Sequence, residues 1–95
     1  MTITLPAILD GGEVDDLRPV LMRAVHTAPT AVVLDAAHVE LISSAGLGML
    51  VAAALIGAER GVRIDVVRPS ALFRQSLALT GLGRHLGIAP APALV

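Results

Sequence analysis

The sequence predicts an α/β protein in which helices pack on a sheet through parallel crossovers. Short apolar, β-branched runs alternate along the chain with segments of helical period, and that alternation favours crossovers over an all-helical bundle. Proline, glycine and serine punctuate the boundaries between them.

Thr2 to Pro6 reads as a short strand ended by proline, and Leu9-Asp10-Gly11-Gly12 as a turn. Val14, Leu17, Leu21 and Ala24 or Val25 then recur at helical spacing from Glu13 to His26, with Asp15 and Asp16 near the positive end of the dipole. Pro19 leaves two readings: a kink in the second turn, or a helix capped by Asp16 with Pro19 in its first turn. Ala31 to Asp35 has the continuous apolar character of a central strand buried on both faces. Leu47, Leu50, Val51, Leu55 and Ala58 form the expected core stripe of a helix from Gly46 to Arg60, which Gly61 ends. Val62 to Val67 alternates apolar and charged residues as a half-buried strand does. Ser70 caps a third helix closed by Gly81, and Leu82 to Ile88 adds an edge strand. One domain over residues 2–88 and an extended tail over 89–95 are expected.

Composition excludes several function classes. Phe73 is the one aromatic residue, which removes the stacking platform that single-stranded nucleic acids need. The formal net charge is −1 and the seven basic residues are scattered, so no phosphate-backbone footprint exists. Without cysteine, thiolate nucleophiles, disulfides and sulfur-based metal centres drop out. The first residues lack a basic segment followed by an apolar run, and a cytoplasmic, unexported protein is expected. Leu41 to Ala58 is 18 residues without a charge, but two serines and three glycines interrupt it and strand-like segments flank it, which argues against membrane insertion.

The enzymatic motifs fail in turn. Ile42-Ser43-Ser44-Ala45-Gly46 lacks the first glycine of a nucleophile elbow. Gly46-x-Gly48 is followed by Val51 where a dinucleotide fingerprint needs its third glycine, and three dispersed histidines have no metal-pair spacing. No catalytic residue, metal site or cofactor is assigned. What remains is the polar pair Ser43-Ser44 at the head of an apolar helix. Such a serine caps the helix, and a phosphate there would also meet free N–H groups and the positive dipole end while adding charge to an apolar surface. Met49, Ala52, Ala53 and Ile56 lie off the expected stripe, and burial, a partner helix or a homodimer accounts for them equally.

Three passages, Val33-Leu34-Asp35, Val39 to Leu50 and Leu77 to Leu82, together resemble the STAS domain family, which includes the anti-sigma factor antagonists. The resemblance implies a mixed β-sheet with helices on one face, no cofactor and no enzymatic activity. It also implies a regulatory module that binds a kinase-type anti-sigma factor or another signalling protein. Ser44 is then the phosphoacceptor, with Ser43 as the secondary candidate, and Asp10, Ser43, Ser44, Gly46, Leu47 and Met49 form the partner surface. Short relatives imply the alternative of a constitutive docking subunit of a lipid-transporting ABC system or a chemosensory complex.

Overall fold

The computed structural model describes residues 1–88, and the expected tail over 89–95 lies outside them. The strands are β1 (Thr2–Thr4), β2 (Ile8–Leu9), β3 (Ala31–Asp35), β4 (Leu41–Ile42), β5 (Arg63–Val67) and β6 (Gly87–Ile88). Three helices, α1 (Gly11–Thr27), α2 (Ser44–Arg60) and α3 (Ala71–Thr80), separate them, and a 3-10 turn spans Leu82–His85. The main sheet has the order β1-β3-β5-β6, so β3 is internal as expected, and β2 and β4 form a separate two-stranded ribbon. Within the expected α/β class, every strand pair among the described residues is parallel.

Register explains why one face of this sheet is covered. Ile3, Leu34 and Val66 share one row and Val32 and Ile64 another. Val32, Leu34, Ile64 and Val66 are all buried, beneath α1 on β3 and α2 on β5. The intervening rows hold Thr2, Val33 and Asp65, then Thr4, Asp35 and Val67. Their threonines are exposed and their valines only half-buried, because successive strand residues point to opposite faces.

The helix boundaries follow local chemistry. Ser70 Oγ accepts from the Phe73 N–H at 3.1 Å, and Gly61 and Gly81 close α2 and α3 in the left-handed conformation. Two expectations about α1 are corrected. The helix starts at Gly11, inside the segment read as a turn, with Asp10 as its N-cap and Pro19 in its interior. Asp16 is therefore not the cap. Burial of Val14, Leu21, Ala24 and Val25 holds the helix through Pro19, with tertiary packing overriding local propensity.

The expected core stripe of α2 is also corrected. Gly46, Leu47, Met49, Leu50, Ala53, Ala54 and Gly57 are buried, whereas Leu55 is 51% exposed. The reason is close approach: a Cβ on Gly57 would lie 2.5 Å from the Val62 carbonyl oxygen, and one on Gly46 2.7 Å from that of Leu9. The helix turns Gly46 and Gly57 inward so that its backbone can approach neighbouring backbone at these two points.

Candidate functional site

Each helix lies in a crossover between parallel neighbours of the main sheet, α1 between β1 and β3, α2 between β3 and β5, and α3 between β5 and β6. The N-termini of the three helices therefore gather at the carboxyl edge of the sheet, the side where open α/β sheets place their functional loops. The β2–β4 ribbon pairs Ile8 with Leu41 and Leu9 with Ile42. It delivers Asp10 and Ser43 side by side, each one residue past its strand.

A single carbonyl fixes this junction. Leu9 O accepts from the Ser43 backbone N–H at 3.0 Å and from Ser43 Oγ at 3.2 Å. The same Oγ accepts from the Gly46 N–H at 3.1 Å, which makes Ser43 the N-cap of α2. Ser43 is thereby committed to structure. Ser44, the first residue of α2, is exposed, and it stands in the turn where unpaired N–H groups concentrate positive potential. Asp10 is also exposed, and its carboxylate accepts from the Gly11 N–H at 2.9 Å.

The site residues suggested by the sequence thus divide. Asp10, Ser43 and Ser44 meet at one rim, and Gly46 is buried beneath it against Leu9. Leu47 and Met49 are corrected as docking residues: at 6% and 3% exposure they belong to the core. The outward side of α2 next to Ser44 carries Ala45, Gly48, Ala52 and Leu55 instead. Sequence reasoning missed this stripe because it set Leu55 and Ala58 on the core stripe, whereas both face outward. The signal that points to it is the pair Gly46 and Gly57, eleven residues or three helical turns apart.

A second constellation anchors the rim from behind. Asp35, at the end of β3, is buried and pairs with Arg68, and its Oδ1 accepts from the Ala37 N–H at 3.1 Å. The Arg68 guanidinium and then the Ala37 N–H hold the Asp35 carboxyl below the usual carboxylate range. Arg68 adopts φ 49° immediately before Pro69, a left-handed conformation that non-glycine residues seldom take. Ser70 N donates to Ala36 O at 3.0 Å and Ser70 Oγ to Val39 O at 2.7 Å. The segment leading to β4 and Ser43 is therefore tied to the start of α3.

Among the described residues, no group of three or more His, Asp or Glu side chains is placed to hold a metal ion. No described helix is long and apolar enough to cross a membrane.

The architecture has close counterparts among solved structures. The anti-sigma factor antagonist SpoIIAA in its unphosphorylated form superposes with a TM-score of 0.76 at 22% identity, covering 94% of this chain and 78% of that one. The Bacillus cell fate determinant SpoIIAA in the phosphorylated form gives 0.71 at 22% identity, covering 94% of this chain and 81% of that one. At this identity the likeness is one of fold. No curated protein matches the chain. The family described as "Mlab, STAS domain" matches residues 1–90, and the chain therefore belongs to the STAS domain family.

Proposed function

We propose that this protein is a non-enzymatic regulatory interaction module of the anti-sigma factor antagonist type, acting in the cytoplasm. Its partner is a kinase-type anti-sigma factor, and phosphorylation of Ser44 switches the complex. The observation that carries this reading is the division of labour between the serines: Ser43 caps α2 and Ser44 is exposed. A phosphate on Ser44 leaves the Ser43 cap in place. It adds about 1.5 to 2 negative charges, stabilised within the fold by the α2 N-terminus. The same charge stands on a rim that already carries Asp10 and beside the uncharged stripe Ala45, Gly48 and Ala52. A partner packed there must desolvate it, and the complex weakens while the fold persists.

Ser44→Asp and Ser44→Ala test the switch together. The aspartate variant loses partner binding and the alanine variant keeps it, while mass spectrometry after incubation with the kinase and ATP places the phosphate on Ser44. Equal binding by both variants removes the switch. The small outward residues of α2 favour a second reading, a constitutive docking subunit of a lipid-transporting ABC system or a chemosensory complex, because small side chains admit close helix contact. Its mark is co-purification that does not respond to kinase or ATP.

A further inference from the structure

We propose that the shallow groove between α1 and the Pro6 corner is a docking site for a cationic amphipathic helix of a partner protein. The groove has a volume of about 270 Å³ and is lined by Pro6, Glu13, Asp16, Leu17 and Val20. The four α1 residues follow an i, i+3, i+4, i+7 series and so form one side of the helix. That side is not the one committed to the core: Val14 and Leu21 are buried, Leu17 is half-buried, and Val20 is 53% exposed. Two residues beyond Pro6, Ile8 and its register partner Leu41 add apolar surface at 48% and 46% exposure. An isolated exposed valine needs no explanation, but Val20 and Leu17 lining one groove with Pro6, beside the exposed Ile8–Leu41 pair of the ribbon, do.

Charge selects the occupant. Glu13 and Asp16 edge the groove, and four of the eight acidic residues of the chain fall between Asp10 and Asp16. Arg18 is the one basic residue among the first 22, and it pairs with Asp15 at 3.7 Å, on the side of α1 away from the groove by helical spacing. The groove thus offers an aliphatic floor with a negative edge. A twofold contact with a second copy would set Glu13 and Asp16 against their own equivalents, and an anionic membrane surface would be repelled. A helix with aliphatic residues at i, i+3 and i+4 flanked by Lys or Arg meets both requirements. This surface lies along the flank of α1 and requires no modification of Ser44.

The test uses the intact, ¹⁵N-labelled protein and a synthetic 18-residue helical peptide with leucine at i, i+3 and i+4 and lysine flanks. A twin peptide carries glutamate in place of lysine. Amide shift changes are expected at Ala7, Glu13, Asp16, Leu17 and Val20, with the glutamate twin at least about tenfold weaker. The near-isosteric double variant Glu13→Gln/Asp16→Asn weakens the cationic peptide by about three- to tenfold and flattens its salt dependence. Val20→Ser weakens it without altering the circular dichroism spectrum of the protein. Four results would each overturn the proposal: equal binding of the twin, shift changes confined to other surfaces, unchanged affinity in the double variant, or perturbation of these same amides by anionic vesicles or by raising the protein concentration alone.

Discussion

Gly46→Ala and Gly48→Ala apply the same chemical change at two points of α2 with opposite surroundings. At Gly46 the new Cβ lies 2.7 Å from Leu9 O, 3.0 Å from Ile42 Cγ1 and 3.2 Å from Leu9 Cβ. Restoring an ordinary contact of 3.4 Å requires a movement of about 0.7 Å, and the atom that must yield is backbone in a close-packed region. Overpacking of this kind costs about 1 to 3 kcal/mol. Moving Leu9 O also stretches its bonds from Ser43 N and Oγ, for about a further 1 kcal/mol. Helix propensity returns about 1 kcal/mol of this, so a net loss of about 1 to 3 kcal/mol is expected. At Gly48 the new Cβ meets nothing within 4 Å beyond its chain neighbours and the backbone of its own helical turns, and the propensity gain alone predicts stabilisation by about 0.5 to 1 kcal/mol. For a domain of this size each kcal/mol moves Tm by about 4 to 8 °C, and calorimetry of the two variants resolves opposite shifts. A Gly46→Ala protein as stable as the parent, or two variants shifting in the same direction, would refute the close-approach argument.

Other perturbations separate the roles of neighbouring groups. Ser43→Ala removes a cap and a bond to Leu9 and is expected to cost about 1 to 2 kcal/mol in chemical denaturation, whereas Ser44→Ala stays within about 0.5 kcal/mol of the parent. Ser70→Ala breaks the Phe73 cap and the tie to Val39 and costs about 1 to 2 kcal/mol by the same measurement. The Asp35 carboxyl titrates lower in the folded chain than in the unfolded one. Its contribution is therefore fully present above the unfolded pKa of about 3.9 and is lost as pH falls through the lower folded value. Asp35→Asn should reduce stability at pH 7 and flatten the acid limb of the stability profile below about pH 5. An acid limb as steep as that of the parent would show that Asp35 is not its source.

Much of the fold was legible because its signals are local. The run Ala31 to Asp35, the serine before α3 and the glycines after α2 and α3 each act within a few residues. The two-residue strands β2 and β4 are too short to show a period, and their pairing depends on residues 33 positions apart. The start of α1 was hidden by its Gly-Gly, which reads as a turn until Asp10 is seen as a cap. The inner face of α2 was misassigned for a deeper reason: hydrophobic periodicity ranks side chains, whereas here glycine backbone meets a neighbouring carbonyl. That error turned Leu55 and Ala58 inward, left Met49 and Ala53 off the core stripe, and concealed the Ala45, Gly48 and Ala52 stripe. The junction of Ser43 and Ser44 was visible as a pair, but the assignment of one to capping and the other to solvent needed the Leu9 contact.

The Leu9 carbonyl also has a kinetic meaning. Its bonds to Ser43 close a loop of 34 residues that contains all of α1 and β3. Closing such a loop carries an entropic cost that only long-range contacts repay. The placement of Asp10 at the same rim as Ser43 and Ser44 thus requires both the ribbon and the β1–β3 pairing that brings its strands together. A partner that reads Asp10 and Ser44 as a unit discriminates against the nascent or unfolded chain, and a modifying enzyme requiring that unit would act after folding. Slow amide exchange at Ser43 would report the completion of the rim.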